Sequence, residues 1–308
     1  MKGRGLRALV TGASGFIGSA VVAALVRRGE QVVAVARRSP PSAAPGTSWV
    51  ETDLRTHTEW SPLLEGVTTI YHFAWSSLPA TSNEDPVADA YDNIVGTLRL
   101  LEAVKARSGI RLVFASSGGT VYGKLQASRA AEAHPTQPTC AYGVSKLAVE
   151  NYLRLFASMW GLDAVTLRIS NPYGPGQDTA RNFGAVTTFA RRALNREPIT
   201  IYGDGSVIRD YLYISDLVAA VVKAGEMRGG VDVMNIGSGV GRSLNEVVDT
   251  IAAALGRPVA TRYLPPRNFD VPVSVLDIER AQFALSWSPR VDFFHGVMAT
   301  LSGLRQAL

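Results

Sequence analysis

The apolar residues in the first half of the chain alternate between short continuous runs and longer segments with helical spacing. The segments at 16–28 and 85–106 place apolar residues three and four positions apart, which is typical of helices. The short runs are typical of buried strands, and they lie at Ala8–Val10, Gln31–Ala36, Trp49–Thr52, Thr69–Ala74 and Leu112–Ala115. Because such alternation builds a parallel sheet with helices on both faces, the pattern predicts an α/β fold with a doubly wound parallel sheet.

The alternation stops near Pro172. Loops rich in glycine and proline follow, together with a helix at about 183–195, a strand at Ile199–Tyr202 and a helix at Ser215–Gly225. Such mixed structure is typical of a smaller domain that covers the crevice of a larger one. We therefore predict a first domain at residues 1–171 and a mixed α/β second domain at residues 172–308, with segments near 214–237 returning to the first.

A glycine-rich segment, Thr11–Gly18, joins the first strand to the first helix. Its glycines follow a G-x-x-G-x-x-G spacing, in which Gly12 allows a tight turn, Gly15 lets phosphates approach the backbone and Gly18 lets the helix pack closely. A turn of this kind aims backbone N–H groups and a helix N-terminus at a pyrophosphate. The alternative is a turn without a ligand. The predicted dinucleotide-binding residues here are Gly12, Ser14, Gly15, Phe16, Ile17 and Gly18.

The residues after the next strands bear on which dinucleotide binds. A carboxylate at the end of the second strand accepts from the ribose 2′-hydroxyl of NAD, whereas arginine accommodates the 2′-phosphate of NADP. That position is Ala36, followed by Arg37 and Arg38, which favours NADP, although paired arginines are also typical of a solvated surface. Asp53 is placed to hold the adenine amino group. Leu54, Phe73 and Ala74 complete the predicted cofactor site.

Candidate catalytic residues follow the fifth strand. Tyr142 and Lys146 are four positions apart and therefore share one face of a helix. A nearby ammonium lowers the pKa of a tyrosine, and this makes the phenol a usable acid and base. A hydroxyl from Ser117 or Thr120 would orient the substrate oxygen. A Tyr-x-x-x-Lys pair also occurs by chance, but here it follows a cofactor turn and a strand that ends in serine.

Composition narrows the classes of function. The chain has 308 residues, 46% of them hydrophobic, and its net charge of +5 is spread over scattered arginine pairs, so a small anionic ligand is favoured over nucleic acid. No apolar run reaches the roughly 20 residues that span a bilayer, and there is no signal-peptide pattern, so we expect a cytoplasmic protein without a membrane partner. The single cysteine, Cys140, excludes an internal disulfide, and the four histidines have no metal-ligand spacing, so no metal is predicted.

These motifs together resemble the extended short-chain dehydrogenase/reductases, specifically the nucleotide-sugar epimerase and dehydratase branch that includes UDP-glucose 4-epimerases. The resemblance covers nearly the whole chain and implies a Rossmann-like first domain. Its motifs are Thr11–Gly18, Tyr71–Ala74, Asn93 with Gly96 and Thr97, Ser116–Gly123, Tyr142–Lys146, Arg168–Pro175, Gly203–Gly205, Arg209–Tyr211, Asn235–Gly237, and Arg267 with Asp270–Pro272.

The resemblance implies an enzyme that binds NAD or NADP together with a UDP- or dTDP-linked sugar. Asn171, Arg209 and Arg267 would hold the nucleotide diphosphate, and Asp270 belongs to the same predicted substrate site. The first expectation is a C4 epimerase that acts through a 4-keto intermediate. The alternative is an NADPH-dependent 4-ketoreductase of a 4-keto-6-deoxy sugar, and a remote alternative is a non-catalytic dinucleotide-binding protein.

Two further expectations come from the resemblance. The position that carries the catalytic hydroxyl in sugar epimerases is Gly118 here, and Gly119-Thr120 replaces the Asp-Glu pair of the dehydratases, so dehydration is disfavoured.

The helices near 86–107 and 142–158 would form a four-helix homodimer interface. Leu153, Phe156 and Trp160 would supply its apolar surface, or would face the sheet instead.

Overall fold

The computed structural model describes residues 6–40, 45–178, 184–229, 232–267 and 271–307. The chain divides into two compact units. The first comprises residues 1–121, 138–168 and 218–234, and the second comprises residues 122–137, 169–217 and 235–308. This division places residues 122–137 in the second unit, whereas the sequence places them in the first domain.

A seven-stranded parallel sheet, with strand order β10-β6-β5-β4-β1-β2-β3, organises the first part of the fold. Its strands are β1 (Arg7–Thr11), β2 (Gln31–Ala36), β3 (Thr47–Glu51), β4 (Thr69–His72), β5 (Arg111–Ser117), β6 (Asp163–Ile169) and β10 (Asp232–Ile236). Leu9, Ile70 and Leu112 lie in its fully buried core, as expected for strands that are covered on both faces. The predicted doubly wound sheet is confirmed.

The helices of this part are α1 (Phe16–Arg27), α2 (Trp60–Leu63), α3 (Pro86–Ala90), α4 (Gly96–Val104), α5 (Ala141–Trp160) and α7 (Ile214–Glu226). The predicted single helix at 85–106 is wrong in its middle, because a π turn at Tyr91–Val95 separates α3 from α4. A π turn adds one residue to the helical repeat and so rotates the buried face. On α4, Leu100, Leu101 and Val104 are buried, whereas Leu98 and the preceding Ile94 are only partly buried.

The second unit is built from smaller sheets and helices. One sheet has the order β11-β9-β13, with β7 also paired to β9, and a second sheet pairs β12 with β8. The strands are β7 (Asn171–Tyr173), β8 (Ile199–Tyr202), β9 (Ile208–Tyr213), β11 (Gly241–Ser243), β12 (Thr261–Leu264) and β13 (Val273–Ser274). The helices are α6 (Ala185–Leu194), α8 (Leu244–Leu255), α9 (Glu279–Leu285) and α10 (Phe293–Ala307).

Among the residues that the structure describes, no helix combines the length and the apolar character needed to cross a membrane.

Candidate active site

The glycine turn between β1 and α1 is packed against neighbouring backbone. Gly12 has φ +67°, and a Cβ added there would lie 2.7 Å from the nitrogen of Ala74 and 2.8 Å from the carbonyl carbon of Phe73. A Cβ at Gly18 would lie 2.2 Å from the carbonyl oxygen of Gly12. Both positions therefore require glycine, and Gly18 packs α1 onto the turn itself.

The same turn leaves a surface that fits a pyrophosphate. Ser14 and Gly15 are exposed, Phe16 and Ile17 are partly exposed, and no side chain caps the N-terminus of α1. The first N–H groups of a helix have no partner within the helix, and together with the helix dipole they attract an anion. Ser14, Gly15, Phe16 and Ile17 thus form an accessible cradle, whereas Gly18 is buried; that these residues bind a dinucleotide remains a prediction.

A chain of hydrogen bonds connects the ends of β1 and β4 beside this cradle. Thr97 donates to the carbonyl of Asn93 (2.7 Å), so its oxygen accepts from His72 Nε2 (2.9 Å). His72 Nδ1 then accepts from the Thr11 hydroxyl (2.7 Å), and the Thr11 oxygen accepts from the N–H of Ala74 (3.3 Å). His72 is therefore neutral and protonated at Nε2. Burial, assisted by the charge of Lys146, lowers the pKa of His72 to about 3.

The end of β2 carries no carboxylate, since its last residue is the buried Ala36. Arg37 and Arg38 follow it, and both are exposed. Two exposed arginines after β2 are compatible with NAD and with NADP.

Asp53 is engaged by a neighbouring arginine. Its Oδ2 accepts from Nε (2.9 Å) and Nη2 (2.6 Å) of Arg55, and this contact holds the pKa of Asp53 below its usual value. The predicted contact of Asp53 with an adenine amino group remains a prediction. Leu54 is partly buried, and its carbonyl oxygen would lie 3.3 Å from a Cβ on Gly96.

The structure places Tyr142 and Lys146 in the first turns of α5. The Nζ atom of Lys146 donates to the carbonyl of Ala115 (2.7 Å). It lies 3.5 Å from the ring centroid of Trp75 and 5.5 Å from that of Tyr142. The ammonium is therefore held by a carbonyl and by aromatic faces. Sequence reasoning missed Trp75, which also makes an edge contact with Tyr142 at 5.8 Å.

Burial dominates the electrostatics of this pair. It raises the pKa of Tyr142, and the Cys140 thiol and the Asp89 carboxylate raise it further. Burial also lowers the pKa of Lys146 well below its usual value, although Asp89 and Glu150 oppose that shift. The pKa of Tyr142 is therefore raised, whereas the motif predicts that it is lowered. With only the residues of the chain around it, Tyr142 is a neutral phenol and can therefore donate a proton.

Two hydroxyls lie where β5 ends. The carbonyl of Ser117 accepts from the N–H groups of Thr120 (3.2 Å) and Val121 (3.1 Å), and this forms a tight turn. The Thr120 Oγ1 atom is buried and has no hydrogen-bond partner among the described residues. A Cβ at Gly143 would lie 2.8 Å from the Thr120 carbonyl, so the start of α5 packs directly on this turn.

A buried carboxylate beneath α5 was also missed. Asp89 is 3% exposed and accepts hydrogen bonds from the side chains of Ser77, Asn93 and Ser145. Ser145 lies between the two residues of the Tyr-x-x-x-Lys motif. The sequence offers no signal for Asp89, because an aspartate near a helix N-terminus is ordinarily a solvated residue that favours the helix dipole.

The predicted diphosphate-binding residues lie in the second unit. Asn171 donates to the carbonyl of Asp210 (3.0 Å). Arg209 donates from Nη1 to the carbonyls of Ile208 (2.8 Å) and Val271 (2.7 Å). These contacts hold the amide end of Asn171 and the guanidinium end of Arg209.

Arg267 is exposed and stacks on an aromatic ring of the same unit. Its guanidinium carbon lies 3.6 Å from the ring centroid of Tyr202. A stacked guanidinium keeps its edge N–H groups directed outward, where they can bind a phosphate. Asp270 lies outside the described residues.

Other polar and aromatic residues of this unit serve packing. Tyr173 and Tyr211 are 2% and 6% exposed, so both rings belong to the core of this unit. Asp210 is fully buried and accepts from Ser238, Gly239 and Leu276.

Comparison with known proteins identifies the family of this chain. The model of the NAD dependent epimerase/dehydratase family matches residues 8–237. A UDP-glucose 4-epimerase of Mycolicibacterium smegmatis is 36% identical, covering 97% of this chain and 99% of that protein. A dTDP-4-dehydro-6-deoxyglucose reductase of Escherichia coli is 32% identical, covering 96% and 97%. The crystal structure of the Thermus thermophilus UDP-glucose 4-epimerase complex with NAD is 35% identical, with a TM-score of 0.91 over 98% of this chain and 100% of that chain. The chain belongs to the NAD dependent epimerase/dehydratase family.

Proposed function

We propose that this chain is a cytoplasmic enzyme that epimerises a nucleoside-diphosphate sugar at C4 through a 4-keto intermediate. The observation that carries the proposal is the pair formed by Tyr142, which is partly buried, and Lys146, which is buried, on the helix that follows β5 in the unit that also holds the dinucleotide cradle. The likeness to 4-epimerases over nearly the whole chain supports the reaction and a UDP-linked substrate.

The chain's own residues have distinct proposed roles. When bound, NAD supplies a hydride acceptor that later returns the hydride. Tyr142 is the base only as a phenolate, a form that the Lys146 ammonium and the positive charge of bound NAD would favour over the neutral phenol. In that form its oxygen takes the proton of the C4 hydroxyl during oxidation, and the resulting phenol gives it back to the ketone oxygen during reduction. Lys146 supplies positive charge beside that oxygen. Thr120, whose hydroxyl has no partner among the described residues, is the stronger candidate for orienting the sugar oxygen, and Ser117 is the other.

Arginines of the second unit are proposed to hold the nucleotide diphosphate. Arg267 stacks on Tyr202, and Arg209 is anchored by two carbonyls, so both guanidinium groups are pre-oriented. A planar guanidinium binds phosphate oxygens in pairs, which is the reason for preferring these residues over lysine. Asn171 and Asp270 remain proposed members of the same site.

A second candidate function has its own support. The Escherichia coli reductase is 32% identical over 96% of this chain, and the exposed Arg37 and Arg38 suit a 2′-phosphate. A 4-ketoreductase would use NADPH and carry out only the reducing half of the reaction. The epimerase is preferred because a solved structure of a related UDP-glucose 4-epimerase, which covers 98% of this chain, is a complex with NAD.

The test supplies UDP- and dTDP-linked hexoses and hexosamines to the purified enzyme without added reductant. The proposal expects pairs of sugars to interconvert at C4, and it expects Tyr142→Phe to abolish most of that interconversion. If no pair interconverts while a nucleotide 4-keto-6-deoxy sugar is reduced with one NADPH consumed per product, the ketoreductase is correct.

The homodimer also remains a proposal, with a revised surface. Leu153 and Phe156 are buried in the core and cannot supply the interface, whereas Trp160 is 45% exposed. Leu155 and Met159 are 47% and 62% exposed and lie four positions apart on α5. Exposed apolar residues on one helix face are typical of an interface.

Sedimentation velocity tests the dimer. We expect the wild type to sediment as a dimer and Met159→Glu to sediment as a monomer. Phe283→Glu, which changes another exposed apolar residue (91% exposed) on α9, is the matched control and should leave the dimer intact. A monomeric wild type at micromolar concentration would exclude this assembly.

A further inference from the structure

Most buried charges among the described residues of the first unit are paired, and two, Lys146 and Asp89, are not. Arg168 donates to both carboxylate oxygens of Glu150, from Nε to Oε1 (3.1 Å) and Oε2 (3.2 Å) and from Nη2 to Oε2 (2.7 Å). Arg111 forms an ion pair with Asp163. Lys146 is 3% exposed and has no carboxylate within ion-pair distance among the described residues. Its ammonium therefore needs a compensating charge at longer range, because an isolated buried charge is costly.

Asp89 is the second buried charge that has no ion-pair partner among the described residues. Its carboxylate is 3% exposed and is held by the hydroxyls of Ser77 and Ser145 and by the amide of Asn93. These three donors are neutral, so they orient the carboxylate without cancelling its charge. The Ser145 hydroxyl lies 2.5 Å from Oδ2, and Ser145 immediately precedes Lys146 on α5.

We propose that Asp89 is a positioning residue for catalysis, because its carboxylate is the buried counter-charge of the Lys146 ammonium and its bond to Ser145 fixes the helical turn between Tyr142 and Lys146. The proposal rests on the proposed catalytic roles of those two residues. Asp89 itself touches neither the sugar nor the dinucleotide in this proposal, and it acts through α5.

The charges around the pair set the expected pH behaviour. Asp89 raises the pKa of Lys146 and also that of Tyr142. The other titratable groups that face the pair are Glu150 on α5, Cys140 before it and His72 on β4. Removing the negative charge of Asp89 should therefore lower both pKa values, and both limbs of a pH–rate profile should move to lower pH.

Asp89→Asn is the matched substitution. Asparagine has the same shape, and the Ser145 hydroxyl can turn to accept from its amide, so the cluster keeps its hydrogen bonds while losing its charge. Ser77→Ala is the control, because it removes one hydrogen bond to Asp89 and retains the charge. A purely structural role for Asp89 would affect both variants alike.

The readout is the titration of Lys146 by NMR, which requires no substrate. The chain has five lysines, so selective ¹³C labelling gives few signals, and Lys146→Met identifies the one of interest. We expect the midpoint of Lys146 to fall by about 1 pH unit in Asp89→Asn, as for the loss of a nearby opposite charge. We expect no shift in Ser77→Ala. An unchanged midpoint in Asp89→Asn would overturn the proposal.

A double variant covers the case in which Asp89→Asn does not fold. If Lys146 is destabilised by losing its counter-charge, Asp89→Asn combined with Lys146→Met should fold better than Asp89→Asn alone. A double variant that is no more stable than the single one would contradict the pairing. Because the titration and the rescue need no turnover, an inactive wild type would count against the proposed function and leave this inference to be decided by its own result.

Discussion

The neutral His72 at the end of β4 leads to a prediction about stability at acidic pH. His72 is 1% exposed and its pKa is lowered to about 3, whereas in the unfolded chain it is near the ordinary value of 6.5. The native state therefore binds no proton at this residue over a range in which the unfolded state does. The native state loses stability as the pH falls from about 6.5 towards 3.

The size of the effect follows from these two pKa values. Between about pH 7 and about pH 5, the protonation of His72 in the unfolded state alone should remove about 2 kcal/mol from the free energy of unfolding. His72→Gln keeps a donor for Thr97 but leaves the Thr11 hydroxyl without its acceptor. That loss should cost about 1–3 kcal/mol at neutral pH.

Urea unfolding of the wild type and of His72→Gln, each at about pH 7 and at about pH 5, measures the difference in the free energy of unfolding directly. The contributions of the other histidines to the pH dependence cancel, since both proteins contain them. We expect the wild type to be the more stable protein at neutral pH and its advantage to shrink by about 2 kcal/mol at about pH 5. A difference in stability that does not change with pH would refute the neutral, buried state of His72.

Two further predictions concern catalysis and cofactor binding. Tyr142→Phe should keep the fold and the bound dinucleotide while turnover falls by about 10²–10⁴-fold, because a positioned proton-transfer group is lost; a near-wild-type rate would remove Tyr142 from the mechanism. Gly18→Ala should prevent dinucleotide retention, since its Cβ would lie 2.2 Å from the Gly12 carbonyl oxygen. Gly29→Ala, which meets no atom within 4 Å, is its control and should retain the dinucleotide at a modest cost in stability, as measured by nucleotide released on denaturation.

The parts of the fold that depend on local pattern could be predicted from the sequence. Strand β2 has the predicted bounds, Gln31–Ala36, because a continuous apolar run ends at two charged residues. The roles of the glycines in the turn could also be predicted, from their spacing between a strand and a helix. In each case the physical requirement, burial on both faces or a close backbone approach, acts over a few neighbouring residues.

The long-range features could not be predicted. Asp89 meets Ser145 across 56 positions, and His72 meets Thr11 across 61, so nothing in either local segment indicates the contact. The π turn at Tyr91–Val95, which separates α3 from α4, has no sequence signal of its own. Helical spacing also left open which face of α5 is buried, since Leu153 and Leu155 are both apolar.

The fate of the hydrogen at C4 tests the central proposal most directly. A UDP-hexose deuterated at C4 is incubated with the enzyme, an excess of unlabelled NADH is added, and the product is analysed by NMR and mass spectrometry. The account predicts that the C4 epimer forms and that the deuterium stays at C4, because the same hydride is removed and returned within one site. Replacement of the deuterium by hydrogen, or no epimer at all while a 4-keto sugar is reduced at the expense of NADPH, would contradict it.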